Sequence, residues 1–281
     1  MTSNSSSALK DITGTVALAG AGKMGGAMLT GWLAQGLDVR RVVVIEPHPS
    51  AEITALVANG LRLNPSARES AKEAGAVDTL VVAVKPQSFR EAGAALKPIT
   101  GSSTLVVSIM AGTTIAALEA ACGGRVVRAM PNTPAAIGRG ITVAVAGKKV
   151  SAAQRATADA LLRATGSVEW VDDESLMDAV TAVSGSGPAY VFLLAEELAR
   201  AGIEAGLPAE LATKLARETV AGSGELLHRS DLPSATLRQN VTSPGGTTAA
   251  ALEVLMGKDG LQPLMIRAIA AATKRSRDLA K

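Results

Sequence analysis

Short apolar runs closed by glycine, proline or small polar residues recur through the first 170 residues, with helix-period segments between them. The runs are Thr15–Ala19, Val42–Ile45, Leu61–Leu63, Thr79–Val84, Thr104–Ile109, Arg125–Met130, Ile141–Ala146 and Val168–Val171. Each is too short for a buried helix and is expected to be a strand, with Thr79–Val84 the clearest buried one and Thr104–Ile109 a second apolar one. Met28–Leu33, Ala51–Asn59, Phe89–Leu96 and Ala152–Ala164 are expected as helices, with Thr113 as the cap of another. Pro86 cannot continue a central strand, so the fourth run must stop there.

After about Asp173 the alternation ends and only helical patterns remain: Ser175–Val183, Pro188–Gly206, Pro208–His228, Leu232–Asn240, Thr247–Met256 and Gly260–Leu279. Pro188 suits the first turn of its helix. That helix is apolar on nearly every face from Ala189 to Ala195, and such a helix must be surrounded. A domain of about a hundred residues can hardly wrap it alone, so a second subunit is expected to cover it. The expected organisation is a tail over 1–11, an α/β domain over 12–173 and an all-helical domain over 174–281.

One stretch gives the α/β half its chemistry. The first strand feeds into Gly20-Ala-Gly22-Lys23-Met24-Gly25, a Gly-x-Gly-x-x-Gly pattern. Gly20 would permit the tight turn, Gly22 the approach of a diphosphate to the backbone, and Gly25 close packing of helix on strand. By itself the pattern is equally a plain tight turn. The strand before it, the helix after it and a second strand ending on Glu46 make it a βαβ unit with an acid where a ribose would lie. The fold class is therefore α/β, a Rossmann-type, doubly wound, mostly parallel sheet, with an all-helical C-terminal dimerisation domain. In such sheets ligands bind at the carboxyl ends of the strands. Here those ends carry Val84-Lys85-Pro86, Ala111-Gly112 and Pro131-Asn132-Thr133.

A second constellation, Asn240-Val-Thr-Ser243-Pro-Gly245-Gly246-Thr247-Thr248, opens a helix with two glycines, four hydroxyls and several backbone N–H groups. It reads either as a capped helix start after a turn or as a cradle for a small anion.

Composition narrows the partners. Lys and Arg number 28 against 25 Asp and Glu, and aromatics are 2% of residues, so neither the field nor the stacking platforms for nucleic acid are present. The basic ending Lys274-Arg275-Ser-Arg277 suits a helix C-terminus. No apolar run reaches the ~18 residues of a membrane span. Cys122 alone allows no internal disulfide, and His48 and His228 are too few for a zinc centre. The Ser-rich start has neither an apolar core nor arginines and reads as no targeting signal. The expected setting is reducing and cytoplasmic, with no membrane and no nucleic acid.

From Val16 to about Leu279 the chain resembles the Δ1-pyrroline-5-carboxylate reductases, which complete proline synthesis. The resemblance rests on Gly20–Gly25, Ala83-Val-Lys-Pro86, Ala111-Gly112, Arg128-Ala-Met-Pro-Asn-Thr-Pro134, the run Asp178 to Tyr190, and Ser243–Thr248. It implies reduction of the cyclic imine to L-proline by hydride from NADPH, with NADH also used. A protonated C=N is a good electrophile, so the protein need mainly position the two reactants. By the resemblance, Ser243, Gly245, Gly246, Thr247 and Thr248 would hold the substrate carboxylate, with Asn240 and Glu174 nearby. An acid such as Glu174 in a first helical turn is also commonly a dipole partner. Thr248, beside the ring nitrogen, and Lys85 are the catalytic candidates. Gly20, Gly22, Lys23, Met24, Gly25, Glu46, His48, Val84, Lys85, Pro86, Ala111, Gly112 and Asn132 are the cofactor candidates, with Thr133 beside them. Gly246 is expected to tolerate no larger side chain. The resemblance also implies interlocked dimers, associating in the family into rings as large as a decamer.

Glu46 argues for a free 2′-hydroxyl and so for NADH, whereas His48 and Ser50 favour a 2′-phosphate. Ala67 stands where relatives often have an asparagine. Two rivals remain. A β-hydroxyacid dehydrogenase would want a lysine base on its long helix, and none lies between Glu174 and Thr213. A dinucleotide-binding sensor would not need the Ser243–Thr248 cradle.

Overall fold

The computed structural model describes residues 9–65, 77–89, 93 and 96–279. By its contacts the chain forms two compact units, one of residues 1–185 with 273–281 and the other of residues 186–272.

In the first unit eight strands form one sheet in the order β3-β2-β1-β4-β5-β6-β7-β8. They are β1 (Val16–Ala19), β2 (Val42–Ile45), β3 (Arg62–Leu63), β4 (Thr79–Val82), β5 (Leu105–Ser108), β6 (Arg125–Met130), β7 (Gly140–Ala146) and β8 (Gly166–Val171). All neighbours pair in parallel except β6 with β7, so β7 and β8 run against the rest. Helices α1 (Lys23–Ala34), α2 (Ala51–Ala55), α3 (Ile115–Cys122) and α4 (Ala152–Arg163) lie between strands.

Side-chain alternation divides the core in two. Val16 and Leu18 of β1 pack with Met28, Leu29 and Trp32 of α1 and with Leu161 and Leu162 of α4. Ala17 and Ala19 instead join Leu80, Val82, Val106, Leu118 and Cys122 on the other face. Both faces are apolar because both are covered, which explains the continuous hydrophobic runs. Trp32 completes its burial by donating its Nε1–H to the carbonyl of Leu161 at 2.8 Å.

Of the expected tail, residues 1–8 lie outside the described residues, and Leu9 departs from the expectation: it is buried in the first core. The helix expected over Phe89–Leu96 falls partly outside them, and Ala67 wholly so. In place of the single helix expected over Ser175–Val183 stand a 3-10 turn (Glu174–Leu176), a short helix α5 (Met177–Val180) and a π turn (Thr181–Gly185).

The second unit is built from α6 (Gly187–Glu204), α7 (Ala209–Arg229), α8 (Ser234–Asn240), α9 (Thr247–Leu255) and the first turns of α10 (Leu261–Leu279). Gly206, at φ +98°, ends α6, and the N–H of Leu207 reaches back to the carbonyl of Gly202 at 3.0 Å, so α6 and α7 form a helical hairpin. Gly202 lies so close to α7 that an added Cβ would stand 3.3 Å from Ala212. Ala212 and Ala216 are the buried hydrophobics of this unit, while Phe192, Leu193, Leu194, Leu226, Val254 and Ile266 are more than half exposed. Among the described residues no helix is long and apolar enough to cross a membrane.

Candidate active site

The glycine-rich turn follows β1 as the spacing requires. Gly20 adopts φ +88°, and a Cβ on it would stand 2.8 Å from the backbone of Ala83, so only glycine fits. A Cβ on Gly25 would drive into the carbonyl oxygen of Gly20, which is how closely α1 packs on its strand. Gly22, the N-cap of α1, has nothing within 4 Å of where its Cβ would be. No side chain caps α1 and no acid lies in its first turn, where Lys23 and Met24 stand. The first amides of α1 are therefore open to an anion, and Gly22 leaves the space for it. Such a loop fits the diphosphate of a dinucleotide.

A groove of about 1060 Å³ adjoins this loop, and Gly22, Lys23, Thr30, Glu46, His48 and Glu52 contribute to its walls. Glu46 does more than end β2. Its Oε2 accepts the N–H of Ala21 at 2.8 Å and its Oε1 that of His48 at 3.0 Å. Its backbone is clasped by Asn64, which accepts from Glu46 N at 2.8 Å and donates to its carbonyl at 2.7 Å. Asn64 adopts φ +47°, a conformation that asparagine tolerates. His48 is exposed, and the Ser50 hydroxyl caps α2 by accepting from Ile53 N.

Three neighbouring strands, β4, β5 and β6, bring the other sheet-edge candidates together. Past β4 come half-buried Val84, exposed Lys85 and a 3-10 turn beginning at Pro86. Past β5 come Ala111 and Gly112, the latter at φ +70° with Leu279 3.3 Å from the site of its Cβ. Thr114, rather than the expected Thr113, caps α3, its Oγ1 accepting from Ala117 N at 3.2 Å. The hydroxyl must sit three residues before the amide it satisfies, and helix α3 begins at Ile115. Past β6, Asn132 spends its Oδ1 on the N–H of Ile141 at 3.0 Å, and Thr133 opens a 3-10 turn.

Behind these loops Glu174 forms a charge pair that the sequence reading did not foresee. Arg128 is buried in β6, its side chain only 5% exposed, and its Nη1 donates to Glu174 Oε1 at 3.0 Å. The same oxygen accepts the N–H of Ile115, the first residue of α3, at 2.8 Å. Glu174 is a dipole partner after all, but of α3 rather than of its own helix. An arginine in the middle of β6, between Val127 and Ala129, was the available signal, since a buried charge needs a partner.

In the helical unit, Asn240 is the exposed last residue of α8, and a turn leads to α9. Gly246 N donates to Ser243 O at 3.1 Å, and Gly246 is the N-cap of α9 with no side-chain cap. The first amides of α9, from Thr247 onward, lack intrahelical partners. Ser243, Gly245 and Thr247 are exposed and Thr248 is half-buried. Gly245 adopts φ +68° in open space, whereas a Cβ on Gly246 would meet Ser243 O at 3.2 Å. Left-handed geometry makes Gly245 the more demanding position for the backbone, and close contact restricts Gly246. The cofactor candidates thus lie in the sheet unit and the cradle in the helical one.

Residues 174–279 match the family described as pyrroline-5-carboxylate reductase dimerisation. Residues 15–112 match that described as NADP oxidoreductase coenzyme F420-dependent. The chain is 40% identical to a pyrroline-5-carboxylate reductase of Pseudomonas aeruginosa over 96% of its own length and 98% of the relative's. Among solved structures it resembles a pyrroline-5-carboxylate reductase from Coxiella burnetii, with a TM-score of 0.86 and 35% identity over 96% of this chain and 99% of that one. It also resembles the Plasmodium falciparum pyrroline carboxylate reductase with NADP bound, with a TM-score of 0.77 and 30% identity over 96% and 99%.

Proposed function

The chain belongs to the pyrroline-5-carboxylate reductases, oxidoreductases that make proline from the cyclic imine and act as homo-oligomers, and from that premise we propose how its residues divide the work. The amides at the start of α9 and the Ser243 hydroxyl take the substrate carboxylate, with Gly245 and Gly246 keeping side chains out of its way. The observation that carries this reading is the uncapped N-terminus of α9, whose open donors and dipole favour an anion. Asn240 completes the rim of that subsite.

The amides of the Gly20–Gly25 loop hold the cofactor diphosphate, and Val84, Lys85, Pro86, Ala111, Gly112, Asn132 and Thr133 line its nicotinamide end. NADPH is supported by the match to an NADP oxidoreductase family and by the relative solved with NADP bound; NADH is proposed as a second cofactor. When bound, the reduced nicotinamide supplies a hydride to the imine carbon. Thr248 hydrogen-bonds the imine nitrogen through its hydroxyl and assists the proton that nitrogen must acquire. Lys85 contributes positive charge at the sheet edge. Glu174 acts by holding Arg128 and the start of α3, and so the Ala111–Gly112 turn before it, in register.

Dimers form through the helical unit, whose large exposed side chains support that choice, and associate into a decamer in the cytoplasm. Imine-dependent oxidation of NADPH or NADH by purified protein tests the activity. Thr248→Ala tests the site: turnover is expected to fall by about 10²-fold while dinucleotide affinity stays within twofold. Equal loss of both would place the substrate elsewhere.

A further inference from the structure

Resting on the dinucleotide reading above, we infer that Glu46 makes the adenosine-ribose subsite of this chain selective for a free 2′-hydroxyl, so that NADH is its tighter cofactor. What sets this carboxylate apart is its anchoring. A lone surface carboxylate can rotate away from an incoming phosphate, and selectivity is then weak. Glu46 cannot do so without breaking two bonds, because Ala21 N–H holds Oε2 at 2.8 Å and His48 N–H holds Oε1 at 3.0 Å. Asn64 also fixes the backbone beneath it on both sides. The Ala21 amide belongs to the phosphate-binding loop itself, so the carboxylate is registered against the place where the dinucleotide lies.

Each carboxylate oxygen accepts one amide and keeps a lone pair, enough to receive ribose hydroxyls. A 2′-phosphate would instead set its double negative charge against a carboxylate that cannot withdraw. The other charged groups contributing to the groove do not reverse this. Glu52 adds a second negative charge and Lys23 a single positive one. His48 is exposed and, unless protonated, brings no charge. The Ser50 hydroxyl is engaged in capping α2. Among the described residues of the groove no arginine is present to clasp a phosphate in two-pronged fashion.

Calorimetric titration of the full-length protein with ADP-ribose and with 2′-phospho-ADP-ribose tests this without reference to turnover. ADP-ribose is expected to bind about tenfold more tightly or better, and raising the salt from low to moderate should narrow the gap, because it comes from charge repulsion. Glu46→Gln keeps an amide-accepting oxygen while removing the charge, and should narrow the ratio at least fivefold, chiefly by improving the phosphorylated ligand. Equal or tighter binding of 2′-phospho-ADP-ribose by the natural protein would overturn the inference while leaving the dinucleotide site intact. Failure of both ligands to bind would overturn the dinucleotide reading as well. Should the variant not fold, the ratio and its salt dependence in the natural protein decide the matter alone.

Discussion

The sheet unit and the helical unit meet the same requirement, burial of apolar surface, in opposite ways. In the first, every residue of β1, β4 and β5 is buried and helices complete two separate cores. In the second, α6 has no buried residue at all, and Phe192 on it is 68% exposed. Apolar side chains left in water forgo roughly 1.5–3 kcal/mol each when they are large. A unit with only Ala212 and Ala216 buried among its hydrophobics cannot recover that from its own chain. The sheet unit carries its stability within one chain, whereas the helical unit carries it in the homo-oligomer.

The largest expected effect comes from attacking that dependence. Phe192→Asp places a charge on the exposed apolar face of α6 without disturbing any side chain buried in the protomer. The homo-oligomer is expected to dissociate, as light scattering would show, and imine reduction to fall by about 10²-fold or more, since desolvating an unpaired carboxylate opposes association by several kcal/mol. ADP-ribose should still bind the sheet unit. A Phe192→Asp protein that kept its oligomeric mass would break the comparison, because the exposed face would then not be the interface.

Glu174→Ala asks how self-contained the sheet unit is. Removing the carboxylate leaves the Arg128 guanidinium buried without its acceptor and the Ile115 amide uncapped. Thermal unfolding should report a loss of about 1–3 kcal/mol, the cost of stranding buried donors. Glu174→Gln should recover most of it, since the amide oxygen can accept from both. If Gln were as damaging as Ala, the pair's charge rather than its hydrogen bonds would be what supports the Ala111–Gly112 turn.

Legibility in the sequence followed the range of the interactions. The central strands β1, β4 and β5 could be read because burial on both faces writes an unbroken apolar run, and the Gly20–Gly25 turn because its backbone needs glycine within a few residues. The over-apolar Ala189–Ala195 segment announced its missing partner for the same reason. What could not be read depends on contacts distant in sequence. Glu174 meets Arg128 across 46 positions and Ile115 across 59, so no local pattern could show it bracing them. Leu9 looked like the end of a polar tail because its burial is conferred by residues far along the chain. The choice of Thr114 over Thr113 turned on a single residue of helix phase, and a π turn at Thr181–Gly185 leaves no hydrophobic period to recognise.

The finest distinction lies within the glycine-rich turn itself, where two glycines serve different masters. Gly25 is glycine because the fold leaves no room, and Gly22 is glycine although the protein leaves its Cβ position empty to 4 Å. Its φ of −68° is one that any residue adopts, so neither strain nor packing explains it. A ligand does. Gly22→Ala is accordingly expected to leave the unfolding free energy within about 0.5 kcal/mol of the natural protein. ADP-ribose affinity should drop about tenfold, because the new methyl group stands where the diphosphate approaches the amides of α1. Gly25→Ala should do the reverse in order of cause, losing stability first and affinity as a consequence. If Gly22→Ala bound ADP-ribose as well as the natural protein does, the open space beside α1 would not be the diphosphate site, and the anion-binding role of that helix end would have to be withdrawn.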